Sequence, residues 1–344
     1  MKSLITRILL LLAILVIPSC VSYKEVSKTV IPYPNDRFLI ITADDFGASE
    51  NINEGIRLAL SEGFINTVSA LTNFSDSMDE LKKLSIKYPD VGIGVHLNIT
   101  TGKPIMNPDE IPSLVNKNGN FYPIEELLIH VKSISLIELR KELKAQIDQL
   151  IKYDIDIDHL SNQHGILSLY SPFYDVVINL AEEYDVPVRC PIAVSIKYPE
   201  IFPKAQTRKR GFDLIKRLAL RKPFKAFSLS KYGSIKEMEN NVKKLENRGI
   251  QHPNVFIDYL WGNPSGSNII YILENLPTGI SEIILHLGSY HRETKYPTGL
   301  DQSYFKKREF ELLLATSEYL KKYINHLNIK IINYSDIKYL RESN

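Results

Sequence analysis

From residue 37 onward, eight apolar segments rich in β-branched residues alternate with amphipathic segments of helical spacing. Several of the apolar segments end in Asp or His, the position where a parallel α/β sheet gathers its chemistry. These two observations predict an α/β fold with mainly parallel strands, which right-handed crossovers would close into a TIM-like (β/α) barrel. A doubly wound open sheet is the competing arrangement. A chain of 344 residues has the length for either.

Phe38-Leu39-Ile40-Ile41-Thr42 reads as a buried first strand, and Ile52, Ile56, Leu58 and Ala59 mark a helix over 50–62. A second strand over 65–71 precedes an amphipathic helix over 78–88 that Pro89 closes. Val91 to Ile99 supplies the third strand. A longer excursion follows, punctuated by Pro104, Pro108, Pro112 and Asn118-Gly119, and then a long charged helix over 136–153. Further strands are expected at 155–160, 187–190, 255–260, 283–287 and 329–332. Helices are expected near 172–185, 234–248, 265–275 and 304–325.

Lys and Arg number 42 against 40 Asp and Glu, with 44% hydrophobic and 24% charged residues. That balance excludes a disordered tail and a multi-span membrane protein, and it lacks the basic excess of a nucleic-acid partner. Two cysteines, Cys20 and Cys190, are too few for a disulfide framework. The N-terminus has the form of an address. Lys2 and Arg7 precede an apolar run from Leu9 to Ile17, too short to span a bilayer, which ends in Pro18-Ser19-Cys20. This resembles a bacterial lipobox. Residues 1–19 would then be a signal peptide, Cys20 the lipidated first residue, 20–36 a tether and 37–340 the β/α barrel domain. The expected location is the bacterial cell envelope, periplasmic or outer-membrane associated, with the lipid as membrane anchor. Both excess positive charges lie in the leader, so the mature chain would carry no formal net charge. Its local exception runs from Lys204 to Lys225, nine basic residues against Asp213 alone. This is a solvated helix face, a surface for anionic lipid headgroups, or one for an acidic glycan.

The strand ends carry the chemistry. The first ends in Thr42-Ala43-Asp44-Asp45-Phe46-Gly47, two adjacent carboxylates that are costly after an apolar strand unless they bind something. The third ends in Gly94-Val95-His96-Leu97 and the seventh in Leu285-His286-Leu287-Gly288. The fourth ends in Asp158-His159-Leu160-Ser161-Asn162-Gln163-His164-Gly165, where alternation puts His159, Ser161 and Gln163 on one face. Asp and His converging from several strand ends is the make-up of a mononuclear metal-hydrolase site.

The Ala-Asp-Asp-Phe-Gly segment, Gly-Val-His-Leu with its following Gly102-Lys103-Pro104, and His-Leu-Ser-Asn-Gln-His-Gly together resemble the YdjC/ChbG family of carbohydrate deacetylases. The tail adds Glu282 to His286, Arg308-Glu309 and Ile331 to Tyr334 in the same order, so the resemblance runs from about 37 to 340. It implies a TIM-like barrel that removes N-acetyl groups from amino sugars such as chitooligosaccharides with one divalent metal ion, Mg or Zn. By resemblance, and by analogy with the wider polysaccharide deacetylases, Asp44 is the catalytic base and Asp45 a metal ligand. His96 falls on a second ligand position. His286 is the general acid or a substrate contact, with Leu287 where the family has proline. The fourth segment departs from the family: Ser161 stands where Asp is expected, and Gln163 where a metal-binding His is expected. The third ligand is then Gln163, or His164 if the strand ends in a bulge. Asn73, His159, Asp258 and Trp261 complete the expected site as contacts to the carbohydrate substrate.

Two other functions are compatible with these residues. The Gln163 and Ser161 replacements suit a non-catalytic glycan-binding lipoprotein on the same barrel. A glycoside hydrolase would pair Asp44 or Asp45 with a carboxylate across a sugar, for which Asp258 is the candidate. Tyr170, Phe173, Tyr259 and Trp261 suit either sugar stacking or core packing.

Overall fold

The computed structural model describes residues 36–74, 77–202, 216, 220, 233–260, 264–290 and 302–342. The expected leader, Cys20 and most of the tether lie outside the described residues, as do Trp261 and, apart from Lys216 and Leu220, the basic stretch.

Strand β1 (Arg37–Phe46) is the centre of the sheet. Its even positions Phe38 and Ile40 pack against Ile332, Tyr334 and Ile337. Its odd positions Leu39, Ile41 and Ala43 join the main core beneath the helices. This period-two division is what a barrel strand buried on both faces requires. Helix α1 (Glu50–Glu62) follows, burying Ile52, Ile56 and Ala59. Then come β2 (Thr67–Ala70), α2 (Ser77–Lys87) and β3 (Gly92–Leu97). The excursion after β3 contains α3 (Ile124–His130) and leads to α4 (Leu136–Lys152), whose first turn Ser135 caps by accepting from Glu138 N–H.

Strand β4 (Leu160–Asn162) is followed by α5 (Ile166–Leu169), α6 (Ser171–Tyr184) and α7 (Val194–Lys197). The second half contains α8 (Ile235–Asn247), β5 (Val255–Ile257), α9 (Gly266–Glu274) and β6 (Gly279–Leu285). It ends with α10 (Gln302–Ala315), α11 (Glu318–His326), β7 (Lys330–Ile331) and α12 (Tyr334–Glu342).

The sheet is parallel throughout, in the order β4-β3-β2-β1-β6-β5. The segment 187–193 links its two ends, bridging β4 at Leu160↔Val188 and β5 at Ala193↔Phe256. The sheet therefore curls as a (β/α) barrel does, and the open-sheet alternative is excluded. The expected eighth strand is different. β6 pairs directly with β1 from Arg37↔Gly279 to Ala43↔Leu285, leaving no gap between them. The last strand, β7, is only two residues long and pairs with the start of β1, at Phe38↔Lys330 and Leu39↔Ile331. The chain then turns into α12, and the fully buried Tyr334 takes the interior space next to Phe38 and Ile40.

The loop after β3 is held from below by α4. The buried Glu142 accepts from Ile105 and Met106 N–H at 3.1 and 2.9 Å, and Gln146 bonds both backbone groups of Asn98 at 2.9 and 2.7 Å. An otherwise apolar helix face thus carries two polar residues because they satisfy loop backbone that would be orphaned on burial.

Candidate active site

Adjacent strand residues normally point to opposite faces, yet Asp44 and Asp45 share one site. The cause is local. The β1–β2 register shifts between Ala43 and Phe46, and Asp45 takes a left-handed backbone with φ 73°. Both carboxylates then come near His96 on β3, whose Nε2 is 3.9 Å from Asp44 Oδ2 and 3.7 Å from Asp45 Oδ1. All three side chains are buried.

Each carboxylate has its own arginine. Arg189, from the bridging segment, donates to both oxygens of Asp44 at 2.8 Å and also reaches Glu282 on β6. Glu282 further accepts from Thr42 Oγ1 and Tyr334 OH at 2.7 Å. Arg308, from α10, donates to Asp45 Oδ2 and lies over the Tyr304 ring. Burial alone would raise both aspartates, but the arginines and nearby histidines outweigh it. Asp44 is held well below the usual carboxylate range, and Asp45 falls to about 2. Across this network three carboxylates face two guanidiniums.

His286 follows β6, and its ring lies in the field of both aspartates. Burial nevertheless drives it down to about 3, leaving a neutral imidazole. Its backbone N–H donates to Glu311 Oε2 at 2.6 Å. Burial raises that carboxyl to about 8, against the pull of the His286 N–H and Arg308.

Beneath His96, Nδ1 lies 2.7 Å from Ser161 Oγ, while Nε2 lies 2.8 Å from Gln163 Oε1. His164 has a left-handed backbone and places Nδ1 3.0 Å from Thr100 Oγ1; burial lowers its pKa although Asp45 pulls the other way. Among the described residues no group of three or more His, Cys, Asp and Glu has metal-holding spacing. A divalent ion would therefore use Asp45 and His96 with an amide or His164 as third donor. One observation favours such an ion: Asp45 Oδ1 is buried, accepts no hydrogen bond and faces His96 Nε2.

Residues 38–326 match the YdjC-like protein family. The chain belongs to the YdjC-like family. A carbohydrate deacetylase of Brevibacillus brevis is 27% identical over 299 residues, spanning 87% of this chain and 99% of that one. A second, from Clostridium beijerinckii, is 25% identical with the same coverage. A crystal structure of an Enterococcus faecalis protein, described as a candidate cellobiose-phosphate cleavage protein, aligns with a TM-score of 0.67 at 23% identity. It covers 88% of this chain and 98% of its own, and shows the shared fold.

In this YdjC-like chain the sequence-derived candidates separate into two groups. Asp44, Asp45, His96, Gln163, His164 and His286 lie near one another toward the C-terminal ends of the strands. His159 is fully buried below them, bonding Ser69 and Asp158 and stacked on Tyr334, so it is out of reach of a sugar. Asn73 spends its amide on the loop, donating to Thr101 and Lys103 carbonyls at 3.1 and 2.9 Å and accepting from Asn98. Asp258 is buried just past β5. Phe173 packs in the core. Sequence reasoning missed Arg189, Arg308 as the Asp45 partner, and Glu311. A signal for the first existed: Arg189 interrupts the apolar run Val186 to Ile192, where a charge needs a partner.

Proposed function

We propose that this chain is a carbohydrate deacetylase that removes N-acetyl groups from amino-sugar glycans or oligosaccharides with the help of a divalent metal ion. The observation that carries the reading is the buried meeting of Asp44, Asp45 Oδ1 and His96 Nε2 within 3.9 Å, one carboxylate oxygen being unsatisfied. Asp45 and His96 would hold the ion with Gln163 or His164. An oxygen-rich set with Gln163 suits a hard cation such as Mg better than Zn. When bound, the ion polarises the acetamide carbonyl and acidifies a water. Asp44, kept ionised and in place by two hydrogen bonds from Arg189, takes the proton of the attacking water. His286, neutral beforehand, would take that proton over from Asp44 and pass it to the leaving amine, so the proton removed from water ends on the amino sugar. The products are a free amino sugar and acetate.

Acetate release from N-acetylated chitooligosaccharides by the purified protein is the test, with Mg or Zn added. Asp45→Asn and His96→Ala are expected to lose at least 100-fold; full activity in both overturns the assignment. A second reading, a glycan-binding barrel without catalysis, draws support from Gln163 and from the separate arginine on each aspartate. It predicts sugar binding with no acetate and no bound metal. The lipobox-like Ser19-Cys20 supports a cell-envelope location with a lipid anchor, and palmitate-analogue labelling is expected to vanish in Cys20→Ala.

A further inference from the structure

Ser161 stands where the resemblance expects Asp, and its Oγ lies 2.7 Å from His96 Nδ1; a serine cannot fix an imidazole's tautomer by charge. The structure supplies a longer route to a carboxylate. From His96 Nδ1 the hydrogen bonds run to Ser161 Oγ (2.7 Å), Ser69 Oγ (3.0 Å), His159 Nε2 (2.8 Å) and, from His159 Nδ1, Asp158 Oδ2 (3.1 Å). All five side chains are buried. The other oxygen of Asp158 accepts from Ser335 N–H and Oγ at 2.8 and 2.7 Å.

We infer that Asp158, acting through His159, Ser69 and Ser161, sets His96 in the Nδ1–H tautomer and so presents its Nε2 lone pair to Asp44 and Asp45. The direction follows from donor counting. An ionised carboxylate only accepts, so His159 gives it the Nδ1 proton. Ser69 keeps its own hydroxyl proton to give, and His159 Nε2 at 2.8 Å accepts it. Ser69 Oγ accepts from Ser161, as their geometry has it. Ser161 then accepts from His96 Nδ1–H, and Nε2 is left bare. Asp158 is suited to start the chain: its pKa is lowered although burial opposes, because His159 and Ser335 donate to it. The barrel also makes room for the relay. A Cβ on Gly92 would lie 2.4 Å from Asp158 Oδ2, and one on Gly94 would lie 2.3 Å from the His159 ring. A bare Nε2 requires the Gln163 amide, whose Oε1 lies 2.8 Å from it, to turn its NH2 toward the ring in the metal-free protein and its oxygen toward a shared cation when one is bound. Asp158, His159, Ser69 and Ser161 are positioning residues, the remote counterpart of the carboxylate that commonly orients a metal-binding histidine.

The tautomer is independent of catalysis; its consequence for metal affinity rests on the deacetylase reading. The test is 15N NMR of the ring nitrogens in full-length, metal-free protein labelled at histidine. A pyridine-like Nε2 and protonated Nδ1 are expected for His96, with His159 neutral. Asp158→Asn, whose amide also donates, removes the fixed direction, and Ser69→Ala cuts the chain without touching a charge. Both are expected to move His96 toward Nε2–H and to weaken Mg2+ or Zn2+ binding, read by calorimetry, about 10- to 100-fold. A protonated His96 Nε2 in the wild type, a doubly protonated His159, or an unchanged His96 tautomer in the variants overturns the relay. If Asp158→Asn does not fold, Ser69→Ala decides. Failure of acetate release with the expected tautomer counts against the deacetylase reading and leaves the relay standing.

Discussion

Glu311 and His286 touch through one hydrogen bond, and burial moves their protonation in opposite directions. Glu311 rises from its ordinary 4.5 to about 8, while His286 falls from 6.5 to about 3. Between pH 4.5 and 8 the folded protein keeps a proton on Glu311 that the unfolded chain has released, so stability falls as pH rises. His286 gives the opposite slope from 3 to 6.5, because the unfolded chain binds its proton and the folded one does not. The two oppose each other between pH 4.5 and 6.5, leaving Glu311 alone of the pair above that. Stability is therefore expected to drop by about 2 kcal/mol between pH 6.5 and 8, and Glu311→Gln to remove the drop. Urea midpoints of both proteins at the two pH values check this, and a flat wild-type midpoint contradicts it. None of this was readable in the sequence. Glu311 sits in Arg308-Glu309-Phe310-Glu311, where nothing distinguishes the buried glutamate from its neighbour.

Elements were more readable than the contacts between them. Alternation through 159–163 placed His159, Ser161 and Gln163 on one face, and the structure joins all three through Ser69 and His96. Periodicity could not say that His159 lies below Ser161 and out of reach of a substrate, because depth in a barrel depends on strand stagger. The single helix expected over 304–325 is two, α10 and α11, with Ser317 capping the second by accepting from Leu320 N–H. Gly55 shows how one element sets another. A Cβ there would meet the backbone of Gly288 at 2.6 to 2.9 Å, two residues past His286. Helix α1 therefore fixes how closely the His286 segment approaches the aspartates. Gly55→Ala is expected to push that segment outward and lower kcat for acetate release about tenfold or more, since a misplacement of about 1 Å can cost 100-fold. The helix should survive, because alanine favours it. An unchanged kcat with intact circular dichroism would show that the close approach does not position His286.

The barrel closes around charge as well as apolar side chains. The expected fifth strand is reduced to single bridges: the segment 187–193 is tied to Leu160, Gln251 and Phe256 by backbone hydrogen bonds, and Arg189 adds ionic ties. Arg189 binds Asp44 of β1 and Glu282 of β6, so one side chain joins the bridging segment to the two most extensively paired strands. Removing one partner of such a buried group leaves uncompensated charge, which costs about 3–5 kcal/mol. Arg189→Met is expected to lose that much by urea unfolding, and also to raise the pKa of Asp44, because the guanidinium no longer opposes its burial. Glu282→Gln on its own keeps one acceptor oxygen for Thr42 Oγ1 or Tyr334 OH, presents an NH2 to the other, and takes away the second carboxylate. The pair Arg189→Met with Glu282→Gln should therefore be less destabilised than the two single costs added together, because only Asp44 is left unpaired. A double-mutant cycle measures the difference. Strictly additive costs would mean that Arg189 and Glu282 are packed neighbours without electrostatic coupling, and that the barrel's closure does not depend on the charge at its centre.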